Sequence, residues 1–81
     1  MAGNLKSQLE EFKKKHMHYL AKAAALNNNI GRDKKLLEAV KVFIAELQAF
    51  LNENKSNLAK TEAAELILWR NKWMDLAKSY R

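Results

Sequence analysis

Apolar residues recur along this chain at alternating steps of three and four, the spacing that places side chains on one side of an α-helix. Breaks near residues 28–33 and 53–57 divide the pattern into three stretches, which predict helices over about 5–27, 34–53 and 57–80. The three stripes are Leu5, Leu9, Phe12, His16, Tyr19, Ala23 and Leu26, then Leu36, Val40, Phe43, Leu47 and Phe50, and finally Leu66, Trp69, Trp73, Leu76 and Tyr80.

Residues that favour helix ends support the first two helices. Ser7 and Glu10 fit a capping box, so the first helix is predicted to begin at Asn4 or Ser7. The polar run over residues 27–32 predicts a break, because asparagine and glycine tolerate the left-handed backbone that ends helices. Asp33 is a suitable N-cap for the second helix.

The junction between the second and third helices leaves one choice open. Asn54 is predicted to take a left-handed position at the end of the second helix. Ser56 or Asn57 is favoured as the cap of the third helix, and Thr61 is a rival start.

The arrangement of the three helices follows from their short connections, which make neighbouring helices antiparallel. Each stripe is also broader than the seam of a coiled coil, so each helix can contact both others. We therefore predict an all-α, up-down-up three-helix bundle, one domain over residues 1–81, with residues 1–3 outside the fold. Distances along the helices place His16, Phe43, Trp69 and Arg70 at one level of the bundle.

Composition removes several alternatives. The 81 residues include no cysteine and no proline, so disulfides, thiol catalysis and cysteine-rich zinc sites are excluded. The longest apolar runs fall short of the roughly 20 residues that span a bilayer, and no secretory signal pattern is present. A cytoplasmic setting is the default expectation. An engineered or selected scaffold also fits, although the run Asn27, Asn28 and Asn29 departs from ideal patterning.

The chain carries no glycine-rich phosphate loop, nucleophile elbow or cluster of metal ligands, so neither catalysis nor a cofactor is predicted. His16 lies on a core stripe and is interpreted as a hydrogen-bonded core residue. A second interpretation joins His16, Tyr19 and Arg70 in a polar layer that binds a carboxylate or phosphate, because arginine offers a bidentate donor fork. His18 points elsewhere on the helix, which argues against a metal site at His16.

A net charge of +6 makes acidic partners plausible. However, three consecutive lysines point in three directions on a helix, and the aromatic residues all fall on core stripes, which leaves no platform for stacking bases. A basic nucleic-acid-binding domain is therefore the alternative rather than the main hypothesis. Its contacts would be Lys13, Lys14, Lys15, Arg32, Lys34 and Lys35.

Apolar residues outside the stripes suggest a surface for a partner. Leu68 points away from the stripe of the third helix, while Val42, Ala45 and Ala49 form a strip on the back of the second. The main hypothesis is a non-enzymatic module, monomeric or weakly dimeric, that binds an unidentified protein through these four residues. A third hypothesis is a small-molecule-binding or catalytic scaffold that uses the layer of His16 and Arg70.

Overall fold

A computed structural model describes residues 5–78, which form three α-helices and no strand. The helices are α1 (Leu5–Ala25), α2 (Lys34–Glu53) and α3 (Lys60–Lys78), and a 3-10 turn (Ile30–Arg32) lies between the first two. The predicted all-α three-helix bundle is confirmed. The predicted limits hold for α2, but α1 ends two residues earlier than expected and α3 begins three residues later. The described residues do not include positions 1–3, the predicted helix start at Asn4, or Tyr80 of the third stripe.

The end of α1 is formed by asparagines. Asn27 and Asn28 have φ angles of 54° and 65°, in the left-handed region. The Asn28 amide donates to the Ala23 carbonyl at 2.7 Å and the Asn27 amide donates to Ala24 at 3.0 Å. This pair of bonds is the Schellman arrangement, which satisfies the last carbonyls of a helix. The predicted break therefore depends on Asn27 and Asn28.

Both ends of α2 are capped, one of them differently from the prediction. The Asp33 carboxylate accepts from the amides of Lys35 and Leu36, as expected of an N-cap. The prediction for Asn54 was wrong, because its φ is −115° rather than left-handed. Instead, the Asn54 backbone amide and side-chain amide both donate to the Phe50 carbonyl. These two hydrogen bonds to one carbonyl end α2, and Asn54 needs no left-handed backbone to form them.

Neither predicted start of α3 was correct. The helix begins at Lys60, and the Glu62 carboxylate accepts from the Ala59 amide at 3.0 Å. This contact is the glutamate half of a capping box, without the usual hydroxyl at the cap. The capping box predicted at Ser7 is also absent as a helix start, because α1 has already begun at Leu5.

Contacts between the helices establish their directions. From Phe12 to Tyr19, α1 meets residues of α2 in decreasing order, from Phe50 to Phe43, so these helices are antiparallel. His16 contacts Trp69 and Tyr19 contacts Trp73, so α1 and α3 are parallel. The bundle therefore runs up, down and up, and measures 38 × 19 × 18 Å.

The core follows the three stripes. All five stripe residues of α2 are buried, and α1 and α3 contribute two buried residues each, with their other described stripe residues partly buried. Ile30, in the 3-10 turn, is fully buried although the sequence placed it in a polar break. None of the helices within residues 5–78 has the length and apolar character that crossing a membrane requires.

Candidate functional site

His16 lies at the centre of an aromatic cluster between α1 and α3. Its side chain is 8% exposed, and its ring stacks on Trp69 with 4.4 Å between ring centroids and an angle of 15°. The Trp73 indole Nε1–H donates to His16 Nδ1 at 3.0 Å. An indole nitrogen can only donate, so Nδ1 must be unprotonated and the imidazole proton must lie on Nε2. The contact therefore fixes a neutral tautomer of His16.

The surroundings of His16 also disfavour its charged form. Burial lowers the pKa of the imidazole below its ordinary value of 6.5, and the positive charge of Lys72 lowers it further. Glu65 opposes this effect in part. Within residues 5–78, no group of three histidine, cysteine or acidic side chains is arranged to hold a metal ion. His16 is thus a neutral acceptor in the core with one ring nitrogen engaged by Trp73.

The three residues of the predicted polar layer have different partners. The Tyr19 ring packs edge-on against Phe43 and Trp73, so His16 and Tyr19 share Trp73 as a neighbour. Arg70 is partly buried and donates from Nε and Nη2 to Asn71 Oδ1, at 3.4 and 3.2 Å. The structure thus brings His16 and Tyr19 together around an indole, while the guanidinium of Arg70 is held by Asn71.

The basic residues proposed as nucleic-acid contacts are all exposed, in two places. Lys13, Lys14 and Lys15 lie in the middle of α1, and the other three lie around the turn that leads into α2. Lys15 forms a salt bridge with Glu46 of α2 at 3.2 Å, which neutralises part of the first group. Every phenylalanine, tyrosine and tryptophan side chain among residues 5–78 is buried or partly buried, so none of these rings is presented as a stacking platform.

The predicted partner-binding residues are also exposed, but on two helices. Leu68 of α3 is 67% exposed and Val42 of α2 is 56% exposed, while Ala45 and Ala49 lie near Val42 on α2. Ala49 lines a groove of about 360 Å³ between α1 and α2. We call this the α1–α2 groove; its other lining residues are Gln8, Glu11, Phe12, Lys15, Glu46, Phe50 and Glu53.

A larger groove, of about 660 Å³, lies between α2 and α3 and was missed at the level of sequence. We call it the α2–α3 groove. Its residues are Lys41, Ile44, Asn71, Met74, Asp75, Ala77 and Lys78. The available signal was the seven-residue spacing of Leu37, Ile44 and Leu51, beside the core stripe of α2, and of Ile67 and Met74 on α3. The spacing identified flanks of the helices, whereas a groove also depends on how the two helices meet.

Similarity to known proteins does not extend this picture. No protein-family model matches the sequence, and no curated protein or solved structure shows significant similarity to it. The candidate sites therefore depend on the contacts of the chain itself.

Proposed function

We propose that the protein is a non-enzymatic interaction module that binds a helix of a partner protein in the α2–α3 groove. The observation that carries this proposal is the apolar floor of the groove. Ile44 and Ala77 are partly buried there, and Met74, which also lines the groove, is 41% exposed. Methionine is flexible and polarisable, and it is common on surfaces that accept helical targets.

The shape of the groove favours a helix over a small molecule. Its volume alone does not decide, because small-molecule pockets cover roughly 300–1,000 Å³. However, such pockets enclose most of their ligand, whereas α2 and α3 supply all the lining of this groove. Two helices line this groove, and no third element within residues 5–78 closes it. A helix that buries only one face matches this geometry.

The α2–α3 groove has the length that a docked helix needs. Its lining on α3 extends from Asn71 to Lys78, which are seven residues apart. Seven residues cover about 10.5 Å of a helix. A partner helix with apolar side chains at positions i, i+4 and i+7 covers about the same distance. The groove can therefore lie along three successive anchors of one partner helix.

The surface expected from sequence alone is a rival. Val42 and Ile44 are two residues apart, which separates them by about 200° around α2. A partner bound at Val42 and Leu68 would therefore leave Ile44 and Met74 free. Binding in the α2–α3 groove should be lost in Met74→Gln and kept in Leu68→Gln, whereas binding at Val42 and Leu68 should give the reverse.

The proposal is tested by selecting a displayed library of helical peptides against the immobilised protein. The library has apolar anchors at i, i+4 and i+7 and random residues elsewhere. Selected peptides should move the amide NMR signals of Ile44, Met74 and Ala77. They should bind Met74→Gln at least about tenfold more weakly, while the control Met17→Gln, at another exposed methionine, binds normally.

Two results would overturn the proposal. One is the absence of any peptide enriched over selection against Met74→Gln. The other is a set of signal changes centred on Val42 and Leu68, with binding lost in Leu68→Gln and kept in Met74→Gln. The second result would transfer the function to the surface expected from sequence.

A further inference from the structure

The α2–α3 groove and the α1–α2 groove differ in charge. Glu11, Glu46 and Glu53 line the α1–α2 groove together with Lys15, and Lys15 is already paired with Glu46. In the α2–α3 groove, Lys41 and Lys78 flank the floor and Asp75 contributes one carboxylate. An acidic partner is therefore attracted to one groove and repelled by the other.

Arg70 adds a directed donor beside the α2–α3 groove. Ile67, Arg70 and Met74 follow one another at steps of three and four, so they share one side of α3. The guanidinium donates to Asn71, whose side chain lines the groove. Among residues 5–78, no carboxylate forms a salt bridge with Arg70, although its side chain is partly buried. A guanidinium pairs strongly with a carboxylate, which can accept two parallel hydrogen bonds.

We infer that the occupant of the α2–α3 groove is an acidic amphipathic helix, with apolar anchors over Ile44 and Met74 and an aspartate or glutamate that pairs with Arg70. This inference rests on the proposed function, and adds the charge of the partner and the residue that selects it. Lys41 and Lys78 attract the acidic flanks of the helix, and Arg70 fixes the position of one carboxylate. Binding energy comes from the apolar anchors, while charge sets the choice of partner.

The sequences selected from the peptide library give the first test. Aspartate and glutamate should be enriched at the flanking positions. Replacing them with lysine in a synthetic peptide should weaken binding by more than about tenfold, and raising the salt concentration should weaken binding of the acidic peptide. Enrichment without charge bias, or enrichment of lysine and arginine, would overturn the inference and leave the groove as a helix-binding site.

A double-mutant cycle gives the second test. Arg70→Gln should weaken the acidic peptide about tenfold, the size expected of a charge-assisted hydrogen bond, and Arg32→Gln is the matched control at an exposed arginine. Changing the acidic residues of the peptide to glutamine one at a time should weaken binding to the wild-type protein. At one of these positions the change should no longer weaken binding to Arg70→Gln, and that position identifies the paired carboxylate. Additive effects at every acidic position would overturn the role of Arg70.

The Met74→Gln variant distinguishes non-specific attraction of acidic peptides from binding in the groove, because it keeps the charge of the groove and removes an apolar contact. If acidic peptides bind this variant as tightly as the wild type, the association depends on charge alone, and both the inference and the groove proposal fail. If duplex DNA competes with the peptide as well as unlabelled peptide does, the site is a general polyanion surface, and the inferred partner is wrong.

Discussion

Trp73 and Met74 are adjacent on α3, but Trp73 is fully buried whereas Met74 is 41% exposed. The side of α3 that carries Trp73 packs against α1, where the indole donates to His16 and the neighbouring Trp69 stacks on the same imidazole. α3 also packs against α2, and Met74 lies at the exposed edge of that contact, where it lines the α2–α3 groove beside a guanidinium bound to a neutral amide. One helix therefore has a side whose contacts are complete and a side with apolar area and charge still available to a partner.

This difference indicates which side of α3 can carry binding residues without loss of stability. A chain of this length has little stability to spare, so a buried aromatic cluster is expensive to alter. The open side contributes little to stability and can change with little effect on the fold. Substitutions along α3 should therefore separate stability from binding.

Trp73→Ala should cause the largest loss of stability. It removes a fully buried indole and leaves His16 Nδ1 without its donor, so we expect a loss of about 3–5 kcal/mol from the lost apolar burial and the cavity together. Urea unfolding followed by circular dichroism measures this loss. Trp69→Ala is the comparison within the same cluster and should cost less, because Trp69 is only partly buried. Equal losses would mean that the degree of burial does not set the cost of removing an indole from this cluster.

Trp73→Phe isolates the hydrogen bond from the packing. Phenylalanine keeps an aromatic ring but has no N–H, so the buried acceptor on His16 loses its partner and stability should fall by about 1–3 kcal/mol. Trp69→Phe is the control, since the contact of Trp69 with His16 is a ring stack rather than a hydrogen bond. A change in the His16 ring nitrogen signals only in Trp73→Phe would assign the loss to this bond. If Trp69→Phe costs as much, packing rather than hydrogen bonding accounts for both.

The stability of the protein should fall in mild acid because of His16. Its pKa is lower in the folded state than the ordinary value of 6.5, so below that value the unfolded chain binds more protons than the folded one. Stability is therefore complete above about pH 6.5 and is lost as the pH falls through the lower folded pKa. One proton limits the slope to about 1.4 kcal/mol per pH unit.

Urea unfolding between pH 7.5 and 5 measures this effect. His16→Gln should flatten the dependence on pH, whereas His18→Gln, which removes an exposed imidazole, should keep it. A stability that rises as the pH falls would contradict the neutral His16 that the Trp73 contact requires.

The sequence predicted the side of α3 that carries Trp73 much better than the side that carries Met74. The spacing of Leu66, Trp69 and Trp73 is sufficient to identify a buried stripe, because burial on a helix depends mainly on which side a residue occupies. The association of His16 with Trp69 also followed from distance along the helices. The hydrogen bond to Trp73 did not, because it depends on the rotation of two side chains about their own bonds.

Groove and turn contacts required information that spacing does not contain. The α2–α3 groove depends on the distance and rotation between two helices, whereas the spacing of Ile44 and Met74 shows only that each lies at the flank of its own helix. Ile30 was missed because a single apolar residue in a polar turn has no periodicity. The start of α3 was misplaced because the cap came from Glu62, inside the helix, rather than from a preceding hydroxyl.

Met74→Gln should have the smallest effect on stability, although we expect it to abolish tight peptide binding. Its side chain is partly exposed, and glutamine is a good helix former of similar length, so stability should change by no more than about 0.5 kcal/mol. Leu68→Gln, at the most exposed large apolar residue of α3, is the matched comparison: it should change stability as little, and it should keep peptide binding. Thermal unfolding of both variants beside the wild type gives the measurement. A loss above about 1 kcal/mol in Met74→Gln alone would place Met74 within the core contacts, and the contrast with Trp73 would then be one of degree rather than of role.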